Sequence, residues 1–133
     1  DCDMAIGTRT TKQMIQQGTN MKNFLRIGNI VLGKLMQSLW ANQQTRLSDA
    51  GCTYRGIWKE SYMKIRKNLK CEGPGFAPEM IIEVMKAQLR LIEIPVGYYQ
   101  RLGGRSEHSI GTKIIKTGFS MLNIIFGKKL GWK

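Results

Sequence analysis

The chain of 133 residues contains few of the residues on which metal sites and disulfide frameworks depend. It has one histidine, His108, and three cysteines, Cys2, Cys52 and Cys71, whose spacing matches no zinc pattern. An odd number of cysteines cannot all pair within one chain, which favours a reducing compartment. Because His108 lies far from Cys52 in the sequence, a cysteine nucleophile is disfavoured, and Cys52 is expected to be a small buried residue.

Acidic residues and long apolar runs are also scarce. Nine aspartates and glutamates stand against 21 lysines and arginines, which leaves a formal net charge of +12. A charge of this size implies an anionic partner, and the candidates are nucleic acid, an anionic membrane surface and a substrate that carries phosphate. No uninterrupted apolar run is long enough to span a bilayer. With 42% hydrophobic residues, the chain is nevertheless expected to be globular.

The closing stretch, 113–133, contains no acidic residue. It is apolar in the middle and basic at both ends, which is typical of a helix at a membrane interface, with Trp132 at the headgroups and the lysines toward lipid phosphate. The alternative is an ordinary helix that packs on the core and has a solvated basic end. We favour the interface and expect 111–133 to be a basic amphipathic tail.

The order of apolar residues predicts a mixture of strands and helices. Strands are expected at Met4–Gly7, Thr53–Trp58 and Leu91–Val96, and helices at Met21–Trp40, at Lys59–Leu69 and from Pro78 onward. Pro78 and Glu79 suit the first turn of a helix, where a missing N–H is harmless and a carboxylate meets the positive end of the dipole. Glu83, four residues on, is expected to be solvated. Pro95 indicates an edge strand or a strand end.

Five short sequence blocks occur in order along residues 4–110. They are MAIGTR at 4–9, RIGN at 26–29, DAGCTYRGIWK at 49–59, GFAPEM at 75–80 and EIPVGYYQRLGGRS at 93–106. Each block is weak alone. Together and in this order they resemble the carboxy-terminal half of family 2 glycosyltransferases, the inverting enzymes that include polyprenyl-phosphate sugar transferases.

The resemblance implies a partial GT-A-like α/β fold, a mixed sheet with flanking helices, in which 1–110 is the carboxy-terminal part of a catalytic domain. The family's nucleotide-binding βαβ unit and D-x-D metal motif would come before it. A divalent metal, Mg²⁺ or Mn²⁺, is therefore expected in the full-length enzyme, and this chain alone is expected to be inactive. Asp1 and Asp3 also read D-x-D, but they stand directly before the first block, so we assign no metal ligands in this chain.

The resemblance also implies roles for single side chains. Asp49 matches the acidic residue that deprotonates or orients the acceptor, and it is the expected catalytic residue. Its alternative role is that of a turn acid that holds backbone amides. Glu79 matches a supporting position. A guanidinium can hold phosphate through two hydrogen bonds, although a surface salt bridge is the alternative for each arginine. The expected phosphate-binding residues are Arg9, Arg26, Arg55, Arg101, Arg105 and Ser106.

Three functions remain open at this point. The first is a peripheral glycosyltransferase on the cytoplasmic face of a membrane. It would use a nucleotide-sugar donor and a lipid-phosphate acceptor, and it could form a homo-oligomer. The second is a small basic nucleic-acid-binding module, which the net charge favours. That module is disfavoured because the chain lacks a helix-turn-helix spacing, zinc ligands and the aromatic and basic strand signature of RNA-binding sheets. The third is a chain that packs or assembles without catalysing a reaction.

Overall fold

The strands of the described residues form one three-stranded mixed sheet. The strands are β1 (Met4–Thr8), β2 (Arg55–Ile57) and β3 (Leu91–Pro95), in the order β2-β1-β3. Strand β1 runs parallel to β3 and antiparallel to β2. The computed structural model describes residues 2–16, 19, 23–40, 46–100, 102–103 and 112–131.

Four α-helices in the described part of the chain flank the sheet. They are α1 (Asn23–Trp40), α2 (Lys59–Ile65), α3 (Phe76–Lys86) and α4 (Thr112–Lys129). Single turns of 3-10 helix lie at Lys12–Met14, Arg66–Asn68 and Gly73–Gly75. The predicted α/β class, a mixed sheet with flanking helices, is confirmed.

Helix α3 lies in the middle of the core. Every residue from Ala77 to Met85 is buried, so neighbouring elements cover the helix on all sides. Its apolar side chains share one hydrophobic cluster with Met4 of β1, Met36 of α1, Leu91 of β3 and Ile125 of α4. Burial of this cluster is the main favourable term in folding. The closing helix α4 thus contributes to the core and does not hang free.

The predicted elements are mostly confirmed, with two shorter than expected. Strand β2 covers only Arg55–Ile57 because just three of its residues pair with β1. The helix expected over 59–69 leaves α geometry after Ile65 and continues as a 3-10 turn. Pro95 is the last residue of edge strand β3, as its missing N–H predicts. None of the described helices is both long enough and apolar enough to cross a membrane.

Two glycines of α1 give the first testable prediction. A Cβ on Gly33 would lie 3.2 Å from the backbone of Leu47 and Ser48, whereas a Cβ on Gly28 would meet nothing within 4 Å. Gly28→Ala should raise the free energy of unfolding by about 0.5–1 kcal/mol, because alanine loses less backbone entropy. Gly33→Ala should lower it by about 1 kcal/mol or more through overpacking. Urea denaturation of both variants tests this, and equal stabilisation would show that α1 does not pack closely on 47–48.

Candidate functional site

The strand directions bring two of the predicted site residues, Arg9 and Arg55, to one edge of the sheet. Because β1 and β3 are parallel, their carboxyl ends lie side by side, and the antiparallel β2 begins at the same edge. Arg9 follows directly after β1. Arg55 of β2 and Glu93 of β3 both lie opposite Ile6, on its two sides. The carboxyl edge of a sheet is the usual position of ligand sites in α/β proteins.

Arg9 and Asp49 form a buried bidentate ion pair at this edge. Nε of Arg9 donates to Oδ2 of Asp49 over 2.8 Å, and Nη2 donates to Oδ1 over 2.9 Å. The carboxylate also accepts the backbone N–H groups of Arg9, at 3.0 Å, and of Gly51, at 3.2 Å. Asp49 is 0% exposed. Burial lowers the pKa of Arg9, but the hydrogen bonds and charge of Asp49 raise it by more, so the guanidinium stays charged.

Glu93 holds the turn that carries Asp49. Its Oε1 accepts the backbone N–H groups of Ser48, at 2.7 Å, and of Asp49, at 3.0 Å, and its Oε2 accepts the Ser48 hydroxyl at 2.7 Å. The Ser48 oxygen in turn accepts the Thr10 hydroxyl at 3.0 Å and lies 2.9 Å from the Thr8 hydroxyl. The position of Asp49 is therefore set by β3 and by the end of β1 together.

Arg55 belongs to the same cluster but differs from Arg9 in its partners. Its Nη1 donates to the carbonyl oxygen of Ala77 over 3.0 Å, and its Nη2 donates to the carbonyl oxygen of Cys52. In the described part of the chain it forms no ion pair. Burial lowers the pKa of Arg55, whereas the pKa of Arg9 is raised overall because Asp49 outweighs burial there. A half-buried cation beside an already paired Asp49 favours the approach of an anion.

The start of helix α1 reaches the same cluster. Nε of Arg26 donates to the carbonyl oxygen of Thr10 over 2.6 Å, just beyond β1. The amide oxygen of Asn29 lies 2.9 Å from the point that a Cβ on Gly51 would occupy. Glycine at this turn allows α1 to approach the residue two positions after Asp49.

Tyr98 was not selected from the sequence, yet it lies beside the cluster. The guanidinium carbon of Arg9 is 5.8 Å from the centre of the Tyr98 ring, within range of a cation–π contact. The other expected phosphate-binding residues of this region, Arg101, Arg105 and Ser106, lie outside the described residues. Their assignment stays a prediction.

A second buried charge cluster joins helices α3 and α4. Nζ of Lys128 contacts Oε1 of Glu79 at 2.8 Å and Oε1 of Glu83 at 3.0 Å, and it donates to the carbonyl oxygen of Asn68 over 2.7 Å. Both glutamates are 1% exposed. The prediction that Glu83 is solvated was wrong, because α4 covers that face of α3. Lys128 was expected to point toward lipid phosphate, and it instead points into the protein.

Glu79 has further partners at the start of α3. Its carboxylate accepts the backbone N–H of Lys70, at 3.0 Å, and of Cys71, at 2.8 Å. Burial raises the pKa of Glu79, but the hydrogen bonds from Lys128, Cys71 and Lys70 lower it by more, so its net direction is down. Glu79 therefore supports the fold by tying the 70–71 segment and α4 to α3.

The contacts of Cys52 and of Asp3 indicate structural roles for both residues. Cys52 is buried, and burial raises the pKa of its thiol, which keeps the sulfur neutral. Asp3 accepts the Ser61 hydroxyl and the backbone N–H of Arg90, both over 2.8 Å. Within the described ranges, no group of three histidine, cysteine, aspartate or glutamate side chains could hold a metal ion.

Sequence reasoning assigned no role to Glu93 and Tyr98, and it assigned the wrong direction to Lys128. Glu93 is a charged residue in the otherwise apolar strand LIEIP, and this contrast is a signal that could have identified it. Tyr98 lies in one of the five blocks, but no spacing points to Arg9. The inward direction of Lys128 has no sequence signal, since the neighbouring Lys129 is identical in type and exposed.

Comparison of the chain with protein-family models, with curated proteins and with solved structures gave no match. The function is therefore argued from the geometry of the site and from the sequence blocks alone.

Proposed function

We propose that this chain is the acceptor-side part of an inverting, GT-A-like glycosyltransferase that moves a sugar from a nucleotide-sugar to a polyprenyl phosphate. The support is the convergence of all five sequence blocks on one cluster. Arg9 pairs with Asp49, and Arg55 reaches the GFAPEM block through Ala77. The RIGN block meets Gly51, and the last block supplies Glu93. Residues up to 89 positions apart in sequence thus form one site.

The single observation that carries the proposal is the charge of this cluster. Asp49 is already neutralised by Arg9, while Arg55 is half-buried and donates only to carbonyl oxygens among its described contacts. A guanidinium that has no carboxylate partner and is partly shielded from water attracts an anion, and its planar set of N–H donors matches phosphate. Both a diphosphate leaving group and a lipid phosphate acceptor carry the required charge.

The proposed reaction is an in-line displacement at the anomeric carbon of the sugar. An oxygen of the acceptor phosphate forms a bond to this carbon, while the bond to the nucleoside diphosphate breaks and its electron pair leaves with the diphosphate. The acceptor phosphate is already anionic, so it needs no base. Asp49 therefore acts by holding the Arg9 guanidinium in one orientation, and Arg9 and Arg55 would bind phosphate oxygens.

A divalent metal is part of the proposal for the full-length enzyme, where it would neutralise the leaving diphosphate. The described residues offer no suitable group of ligands. The resemblance implies that the metal would be held by the D-x-D motif of the family's amino-terminal half, and the proposed roles of Arg9, Asp49 and Arg55 do not depend on it.

Transfer of labelled sugar from nucleotide-sugars to polyprenyl phosphate by the full-length protein tests the proposal. Arg55→Lys should lower kcat/KM by about tenfold or more, because an ammonium group cannot reproduce the planar donor pair. Arg66→Lys is the matched control, since Arg66 is exposed in the 3-10 turn after α2, and it should change nothing. No transfer with any nucleotide-sugar, or equal activity of Arg55→Lys at unchanged stability, would reject this function.

The net charge of +12 also suits a nucleic-acid-binding module, the second candidate. This candidate predicts binding that falls steeply with salt and that does not need the exposed apolar residues of α1 and α4. Binding to lipid vesicles and to nucleic acid, measured side by side, separates the two functions.

A further inference from the structure

Two helices of this protein combine exposed apolar residues with a complete lack of acidic residues. Helices α1 and α4 have 18 residues each, and neither contains aspartate or glutamate. Helix α1 exposes Phe24, Ile27 and Val31, at helical spacings of three and four. Helix α4 exposes Ile115, Phe119 and Phe126, and Leu130 is exposed in the turn directly after it, where its N–H still donates to the carbonyl oxygen of Phe126.

The exposed residues of each helix form a stripe on one side. In α4 the spacings of four, seven and four place them within about 60° of one another around the helix axis. Phe24 and Phe119 are 71% and 68% exposed, values that a packed core residue does not show. The buried residues of α4, Met121 and Ile125, lie on another side of the helix. Each helix therefore has one face for the core and a second apolar face with no partner among the described residues.

The two helices lie next to each other and run in the same direction. The side chains of Asn29 in α1 and Met121 in α4 both approach Gly51. Farther along, Nζ of Lys129 donates to the carbonyl oxygen of Leu39 over 3.0 Å and lies 5.9 Å from the centre of the Trp40 ring. The two helices are thus parallel neighbours, and their exposed apolar stripes together are called the α1/α4 face.

The exposed charged residues of these two helices have one sign. Exposed lysines lie along both helices. The two lysines at the end of α4, Lys128 and Lys129, differ in their surroundings. Lys128 is held inside by two glutamates, while Lys129 stays at the surface. The exposed lysines of the two helices are Lys34, Lys113, Lys116 and Lys129. Helices with exposed apolar side chains, lysines and no acidic residues match an anionic lipid bilayer, which is apolar inside and negatively charged at its headgroups.

We propose that the α1/α4 face docks on an anionic lipid bilayer as one preformed surface, with α1 contributing as much as α4. This inference rests on the proposed function, whose acceptor is a lipid phosphate, and it names the residues that meet the lipid. The two helices that carry the face reach the site, because Asn29 of α1 and Met121 of α4 approach Gly51, two positions after Asp49, from sides of the helices other than the exposed stripes. A lipid phosphate at headgroup depth would then reach Arg9 and Arg55 without leaving the membrane.

The buried contacts of Lys128 explain why the face is preformed. They hold the last turn of α4 against α3, so the apolar stripe keeps its direction without lipid. A tail that folds only on the membrane would gain helix on binding. The docked α4 should show no gain in helical circular dichroism for its own residues when vesicles are added.

The test is vesicle co-sedimentation of the full chain with phosphatidylcholine vesicles that contain or lack phosphatidylglycerol. The protein should bind the anionic vesicles. Phe24→Ser with Val31→Ser in α1 should weaken binding about tenfold or more, because the inserted apolar area is lost while every charge remains. The matched control is Ile92→Ser with Ile94→Ser, which removes two exposed apolar residues of β3 away from this face, and binding should stay unchanged.

A second variant measures the electrostatic part. Lys113→Gln with Lys116→Gln should weaken binding at low salt and have little effect at high salt, where the charge term is screened. Full binding by the α1 variant would overturn the two-helix surface. Equal weakening by the β3 control would do so as well. A dimer on gel filtration that the α1 variant dissolves, or tight nucleic-acid binding without vesicle binding, would each assign the face to another partner and overturn the proposal.

Failure of this inference can be told apart from failure of the proposed function. Asp49→Asn should bind vesicles normally, provided that it is folded, although its transfer activity is low. The α1 variant should still transfer sugar to a short-chain, water-soluble acceptor phosphate. Vesicle binding without any transfer would reject the enzyme and keep the membrane surface, and transfer without vesicle binding would do the reverse.

Discussion

Replacing Asp49 with asparagine is expected to lower glycosyl transfer by the full-length protein by about 10² or more. The amide keeps the shape of the side chain but cannot accept the bidentate pair of hydrogen bonds from Arg9 as an anion. Arg9 would then lose its fixed orientation, and misplacement of a binding group by about 1 Å is enough for a 10²-fold loss. A direct role of Asp49 as a base predicts a loss of about 10² to 10⁴.

The pH profile separates these two roles. If Asp49 acts as a base, its replacement should remove the acidic limb of the pH profile of kcat. A positioning residue would instead leave the profile unchanged and raise the KM for the acceptor phosphate. Unchanged kcat and KM in Asp49→Asn would assign the residue to the turn alone.

The structure also changes the expected stability of Asp49→Asn. In the alternative role named from the sequence, a turn acid, Asp49 would hold only backbone amides. Asp49 is instead fully buried, and its removal leaves the guanidinium of Arg9 without a counter-ion. Removing one partner of a fully buried ion pair costs about 3 kcal/mol or more. We expect a somewhat smaller loss of stability here because Arg9 is partly exposed. Kinetics must therefore be measured below the lowered Tm.

Asp3→Asn is the matched control for this experiment. Asp3 also accepts a backbone N–H and a hydroxyl, but it lies at the amino end of β1, away from the site. Its replacement should leave transfer unchanged. A loss of transfer equal to that of Asp49→Asn would show that the effect comes from general weakening of the fold.

Lys128→Met is expected to be the most destabilising single change in α4. The lysine is 9% exposed in its side chain and neutralises Glu79 and Glu83, which are both buried. Methionine fills similar volume but leaves Glu79 without its cation and Glu83 with only Lys86, whose Nζ lies 3.4 Å from Oε1 of Glu83, and we expect a loss of about 3–5 kcal/mol. Lys129→Met is the control, because Lys129 is exposed and should change stability little. Equal effects of the two variants in urea denaturation would contradict the buried cluster.

The pH dependence of stability gives this cluster a second signature. The pKa of Glu79 is lowered in the folded protein, so its contribution is present above the unfolded pKa of about 4.3 and is lost as pH falls through the folded pKa. The pKa of Lys128 is raised, because Glu79 and Glu83 outweigh its burial. Its contribution is present below the unfolded pKa of about 10.4 and is lost as pH rises through the folded pKa.

The Lys128→Met variant should show the opposite trend on the acid side. Without the cation, the lowering of the Glu79 pKa by Lys128 is lost while its raising by burial remains, so proton uptake by Glu79 becomes easier. The stability deficit of the variant should therefore shrink as pH falls from 7 toward 5. A deficit that is constant over this range would indicate lost packing rather than lost charge neutralisation.

The elements of this protein follow closely from local sequence patterns. The alternation and spacing of apolar residues located all three strands and four helices, because side-chain direction repeats every two residues in a strand and every 3.6 in a helix. Pro95 was correctly placed at an edge and a strand end for the same local reason, its missing N–H. Asp49 and Arg9 were selected as site residues from blocks of six to eleven residues.

The partners of these residues were decided only by the tertiary structure. Nothing within the blocks says that Arg9 pairs with Asp49, 40 residues away, or that Glu93 holds the turn between them. Lys128 and Lys129 are neighbours of one type, yet the direction of the helix places one between buried glutamates and the other at the surface. Sequence by itself determined which residues are apolar, charged or turn-forming, because these are properties of single side chains and short spacings. Burial and ion pairing depend on which distant segment covers a residue, and that is settled only when β1, β3, α3 and α4 pack together.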